Sequence, residues 1–247
     1  MNNEATATLV AHSKKFQCEM ATREQLARYE TPERTSSWVP VPHIDLVEAI
    51  TGQLPRFGLK ISREQFAVGS KGLSLFGIME LSGVFEHAKR AMALGFRHSN
   101  NKALALRMVA GSRVFVCDNL ALGGEAITFR KHTSLLDLAR TIRNGLGKFL
   151  DSFRRFDAKI VAAESLVLTD DQAKIKLVDL WRNDALPISL FSQAHDNYFK
   201  AEALQYEDSA PRTAWGLHNA CTRAVKALAP TTQFTVLNRL GQEFGLA

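Results

Sequence analysis

The stretch LKISREQFAVGSKGLSLFGIMELSG, Leu59 to Gly83, decides the fold. On either side of Gly69-Ser70-Lys71-Gly72, apolar and polar residues alternate with a period of about two, the spacing at which successive side chains take opposite faces of a strand. The four-residue break has the composition of a tight turn, so the segment predicts two antiparallel strands joined as a hairpin. Glycine-rich and carrying Lys71, it still lacks the order of a phosphate-binding loop and the helix that would have to follow.

The strand pattern continues downstream. AMALGFRHSN (91–100) and ALALRMVAGSRVFVCDN (103–119) read as further strands, with Gly111-Ser112 as a turn, and EAITFRKH (125–132) as the last one. Four to six antiparallel strands are expected over residues 59–130. Upstream, WVPVPHIDLVEAITGQLPRFG (38–58) opens with Pro40 and Pro42, which force an extended path. A short helix from 46 to 54 follows, with Asp45 and Glu48 as its capping box and Pro55 and Gly58 as its stop.

TSLLDLARTIRNGLGKFLDSFRRF (133–156) is an amphipathic helix. Leu135, Leu138, Ile142, Leu146, Phe149 and Phe153 share one stripe, Arg140, Arg143, Lys148, Arg154 and Arg155 take other positions, and Thr133 or Ser134 is the cap. Its GLGK (145–148) reads as a local weakness or kink, not a nucleotide site. Four more helices follow, in LTDDQAKIKLVDLW with Thr169 and Gln172 as a capping box, in the segment opened by Pro187, in RTAWGLHNACTRAVKAL and in QFTVLNRLGQEFG. Strands followed by helices, without strict alternation, give an α+β fold: an antiparallel sheet with flanking helices and a helical C-terminal region. Residues 1–37, polar and weakly periodic, are expected as an arm or edge element. Residues 38–247 form one domain, sheet-rich to 155 and helical from 156.

With 247 residues, 46% of them hydrophobic, the chain can bury one substantial core. No apolar run approaches the roughly 18 residues of a membrane span, and the first 25 residues lack the order of a signal peptide, so a cytoplasmic protein without membrane partners is expected. Cys18, Cys117 and Cys221 lie far apart in an odd set, which argues for free thiols over a disulfide framework or a thiolate zinc site.

The net charge of +6 is unevenly placed. Residues 1–50 carry five Lys/Arg against seven Asp/Glu, residues 51–155 seventeen against seven, and residues 156–247 nine against eleven. Positive charge concentrated in one segment of a balanced chain is the footprint of a polyanion binder, although a solvated basic face has the same composition. Arg97, Lys102, Arg107 and Arg113 recur along one hairpin, with Arg130 and Lys131 on the next strand, and these six are the candidate nucleic-acid ligands. Phe96, Phe115 and Phe129 lie beside them and would stack on bases if exposed; strand alternation assigns at least two of the three to the core.

Several short motifs, in order, resemble the phage/plasmid-like protein family, a bacterial and phage family of unknown function. They are RHSNN (97–101), RVFVCDNLAL (113–122), FRKHTSL (129–135) and TAWGLHNACT (213–222), within a similarity spanning about residues 40–245. The residues that carry it are His98, Cys117, Asn119, His132, Trp215 and Asn219. In many members the first motif reads Ser-His-Asp-Gly-Ser, whereas Ser99, Asn100 and Asn101 follow His98 here. The resemblance implies residence on a mobile element or phage, where work on DNA or against host defence is usual, and it implies no established reaction.

Three functions follow as expectations. The first is a non-enzymatic binder of DNA, preferring single strands, with no cofactor; its order of sheet and helices is loosely similar to phage single-strand annealing proteins. The second is a module that inhibits or recruits a host nucleic-acid enzyme. The third is an enzyme centred on His98, Cys117 and His132, in which Cys117 would be the nucleophile and a histidine its base. The same three residues lack the spacing of a zinc site. Glu64, Glu80, Glu86, Asp118 and Glu125 are too scattered to mark a metal-dependent nuclease. Trp215 and Asn219, four apart on one helix, are expected to be structural, and self-association is left open.

Overall fold

The computed structural model describes residues 18–85, 90–114, 119–201 and 212–246. Its centre is a six-stranded antiparallel sheet in which each strand pairs with its neighbour in sequence. The strands are β1 (Glu19–Ala21), β2 (Lys60–Gly69), β3 (Ser74–Ser82), β4 (Arg90–Ser99), β5 (Leu106–Val114) and β6 (Asn119–Arg130). The hairpin expected at Leu59–Gly83 forms with Gly69 opposite Ser74. Its turn holds Ser70 and Lys71 at φ of 52° and 55°, a left-handed path that the two flanking glycines make easy to enter and leave.

Around the sheet lie α1 (Arg23–Leu26, a single turn), α2 (His43–Gln53), α3 (Leu138–Ser165), α4 (Asp170–Arg182), α5 (Ile188–Phe199), α6 (Ala214–Val225) and α7 (Pro230–Glu243). Leu46, Val47 and Ile50 of α2 and Phe149, Phe153 and Phe156 of α3 cover one face, packing on Phe66, Met79, Leu94, Phe96 and Met108. Leu177, Leu180, Leu190, Leu217, Phe234 and Leu237 cover the other, over Phe76, Ile78, Ala93, Val109 and Leu122. The sheet is therefore the middle layer of three. That is why Ser74 to Leu81 is buried without a break, where a sheet with one solvated face would alternate.

Local readings are corrected at four places. α2 starts at His43 after Pro42, without a side-chain cap, so Asp45 sits in the first turn and forms no capping box with Glu48. Gly111-Ser112 is not a turn but the interior of β5; a Cβ on Gly111 would stand 2.6 Å from the Ala121 carbonyl oxygen, so glycine serves the close approach of β6. The cap of α3 is Asp137, whose Oδ1 accepts from the Arg140 N–H; Thr133 instead bridges to Trp38, and Leu135 precedes the helix, 91% exposed. α3 runs on through Gly145, where a Cβ would meet Thr128 Oγ1 at 2.1 Å, so that glycine lets helix and sheet touch. The stretch read as an arm or edge element supplies the edge strand β1 and, in α1, the buried Leu26. The capping box of Thr169 and Gln172 forms as read, as does the start of α5 at Pro187.

Candidate nucleic-acid interface

The six cations singled out in the sequence divide into two groups. Arg97, Arg107 and Arg113 point to the face covered by the C-terminal helices. The Arg97 guanidinium donates to Thr235 Oγ1 at 2.6 Å and lies 4.9 Å from the Phe234 ring centroid. Arg107, its register partner across the sheet, donates to Asn238 Oδ1. Burial lowers the proton affinity of both guanidiniums, and Arg107 adds to the effect on Arg97. Arg113 reaches both carboxylate oxygens of Glu80 at 2.9 Å. These three hold the sheet to α7 and β5 to β3.

Arg130 and Lys131 behave differently. Both are exposed at the end of β6, and only the short connection 132–137 separates them from α3. The strand end and the N-terminal part of the helix form the two walls of an open cleft of about 970 Å³, lined by Arg130 and Lys131 on one side and Arg140, Arg143 and Lys148 on the other. Further along the same helix, Arg154 and Arg155 pair with Asp151 and Glu125. None of the five lining cations makes an ion pair with another described residue. The one acidic lining residue, Asp137, is engaged by the backbone of Arg140. Unpaired cations on facing walls sum to a positive potential in the concavity between them.

Lys102 stands at the same end of the sheet. Its Nζ lies 5.0 Å from the Trp38 ring centroid, and Trp38 pairs with Thr133 of the cleft wall. Of the three phenylalanines, Phe96 is fully buried, Phe115 lies outside the described residues, and Phe129 is 59% exposed at the cleft rim. Arg140, Arg143 and Lys148 were legible as helix charges but not as partners of Arg130. The signal was their i, i+3, i+8 stripe, brought beside the strand end by a connection of only a few residues.

The histidines converge elsewhere. His43, His98 and His132 lie together under the start of α2. The carbonyl of Gly72 can only accept, so His43 Nε2 donates to it at 2.8 Å. That leaves His43 Nδ1 as acceptor for His98 Nε2 at 2.9 Å. His132 stacks on His98 with centroids 5.3 Å apart. Burial pushes the proton affinity of His98 well below the ordinary imidazole range, with His43 and His132 adding to it; burial lowers His43 and His132 as well. Beside them the Asn100 amide accepts from Val41 N at 3.0 Å and donates to Val41 O at 2.8 Å, and His132 O accepts from Val39 N. The motif RHSNN thus fastens the extended segment before α2 to the sheet.

No described carboxylate bonds any of these three imidazoles, and no group of three His, Cys, Asp or Glu among the described residues is placed to hold a metal ion. Cys117 lies outside the described residues. The strand ends that flank it, Val114 and Asn119, pair at the opposite end of β5 from Leu106, whereas His98 ends β4 beside the start of β5. Glu64 bonds Arg23, Glu80 bonds Arg113 and Glu125 bonds Arg155, each at a separate place; Glu86 and Asp118 fall outside the described residues. Trp215 and Asn219 are both buried in α6, the indole stacked on His218 at 4.9 Å.

No helix among the described residues is long and apolar enough to cross a membrane. No family model, curated protein or solved structure matches the chain.

Proposed function

We propose that this protein binds single-stranded DNA, without chemistry on it, by seating the phosphate backbone in the cleft between the end of β6 and the N-terminal part of α3. The observation that carries the reading is the meeting of Arg130, Lys131, Arg140, Arg143 and Lys148 on two walls of one concavity, with no ion pair to a described residue. Cations left in water by the fold are available to release counterions from a polyanion. The cleft, of about 970 Å³, has room for a few nucleotides of a single strand. Phe129 and Leu135 at the rim, 59% and 91% exposed, offer apolar surface to unstacked bases.

The motif resemblance supports a role on a phage, plasmid or other mobile element, acting in the cytoplasm where its DNA is copied or repaired. The burial of His43, His98 and His132, with His98 fully enclosed, favours a structural role over an enzyme centre.

Fluorescence anisotropy of a labelled oligothymidine and of a duplex, over a series of salt concentrations, tests the proposal. Tighter binding of the single strand, with affinity falling steeply as salt rises, is expected. Equal competition by an acidic polypeptide would assign the cleft to a protein partner instead, and no salt-dependent binding would remove the reading.

A further inference from the structure

Six of the ten large hydrophobic residues exposed among the described residues fall within 166–188: Leu166, Val167, Ile175, Val178, Trp181 and Ile188. They surround α4. That helix buries Ala173, Leu177 and Leu180 against the core. On a helix of 3.6 residues per turn the stripe opposite those three is Asp171, Ile175, Val178 and Arg182. An acid stands at its N-terminal end, two apolar residues at its middle and a cation at its C-terminal end. All four lie toward solvent, Asp171 at 89% and Ile175 at 61%; Asp171 pairs with Lys174 of its own helix at 3.6 Å, an exposed contact that a second cation can share.

We infer that α4 is a self-association surface, packing antiparallel on α4 of a second copy of this chain about a two-fold axis between Lys176 and Leu177. A two-fold interface must complement itself, residue i meeting j and j meeting i. This stripe does so in one register: Ile175 meets the partner's Val178, and Asp171 meets the partner's Arg182, each contact occurring twice. The acid at the helix N-terminus and the cation at its C-terminus also suit the helix dipoles. The same axis brings Leu166 and Val167, ahead of the helix, toward the partner's Ile188 beyond its end. The dipole alone accounts for an acid at one end and a cation at the other; what the two-fold adds is that both lie on the same stripe as Ile175 and Val178, equidistant from its centre.

Sedimentation velocity of the full chain without DNA, over a concentration series, tests this independently of the cleft. A reversible dimer is expected, populated by about 100 µM, since small interfaces sit at the weak end of the range. Val178→Asp should leave a monomer with an unchanged melting temperature, because its site is on the surface. Asp171→Arg and Arg182→Asp should each weaken dimerisation at least about tenfold, by placing like charges together, and the double exchange should restore it. A wild-type monomer at every concentration, a dimer that survives Val178→Asp, or a double exchange as weak as either single change would overturn the inference.

Discussion

His43 Nδ1 lies 2.9 Å from Nε2 of His98, and the carbonyl of Gly72 on the far side of the His43 ring fixes the direction of that bond. The pair works only while His43 is neutral, because a protonated imidazole has no lone pair to accept with. Acid therefore breaks this contact at its source and frees the junction between α2 and the end of β4, while His43 Nε2 can still donate to Gly72.

The sign of the pH effect follows from burial. His43, His98, His132 and His218 all bind protons less readily in the folded protein than in the unfolded chain, and burial sends His218 down to about 3. Stability is therefore full above the unfolded value of about 6.5 and is lost as pH falls below it, at up to about 1.4 kcal/mol per pH unit for each such histidine. For His218 the window extends down to about pH 3. Urea unfolding at pH 7.5 and 5.0 should show a marked fall in midpoint. His218→Phe keeps a ring between Trp215 and Phe244 and removes two ring nitrogens that no described group bonds. It should be neutral to about 2 kcal/mol stabilising at pH 7.5 and should flatten the acid slope. An unchanged slope would mean that another group governs acid sensitivity.

Asn100 uses both halves of its amide on the one residue Val41. Asn100→Asp preserves the size and the acceptor but loses the donor and places a carboxylate at a site only 4% exposed. About 2–4 kcal/mol of destabilisation at pH 7.5 is expected, from the orphaned Val41 carbonyl and the buried charge together. Because protonation relieves the charge, the gap to wild type should narrow toward pH 4. A variant within about 0.5 kcal/mol of wild type at pH 7.5 would show that the segment before α2 is held by other contacts.

The sheet was legible because Gly69 to Gly72 breaks two runs of strand composition; the burial of Ser74 to Leu81 on both faces was not, since a strand covered on both sides does not alternate. Gly111 misled for a physical reason, since a glycine that lets strands approach has the same letter as one that turns the chain. The start of α3 was misplaced because Thr133, Ser134 and Asp137 are all competent caps, and only the path of the chain past Trp38 selects Asp137. The cations of the candidate site were visible, but their fates were not. Arg113 is neutralised by Glu80, 33 positions away, and Arg107 is bonded by Asn238, 131 positions away. Local spacing carries no trace of such pairings, nor of His43 meeting His98 across 55 positions.

That division supplies the sharpest test of the cleft. Arg140→Glu with Arg143→Glu reverses two exposed charges on one wall, while Arg107→Glu with Arg113→Glu reverses two that are bonded to Asn238 and Glu80. The first pair should leave the melting temperature nearly unchanged, weaken oligothymidine binding at low salt by well over tenfold, and lower the slope of log affinity against log salt by about 1.4, at about 0.7 per phosphate contact on a single strand. The second pair should lower stability by several kcal/mol, of order 3 or more, since the carboxylate introduced in place of Arg113 would face Glu80 within the fold, and any loss of binding should follow the loss of folded protein. If instead the second pair folds normally and abolishes binding while the first binds like wild type, the polyanion lies against the α7 side of the sheet and the cleft is only a solvated basic surface.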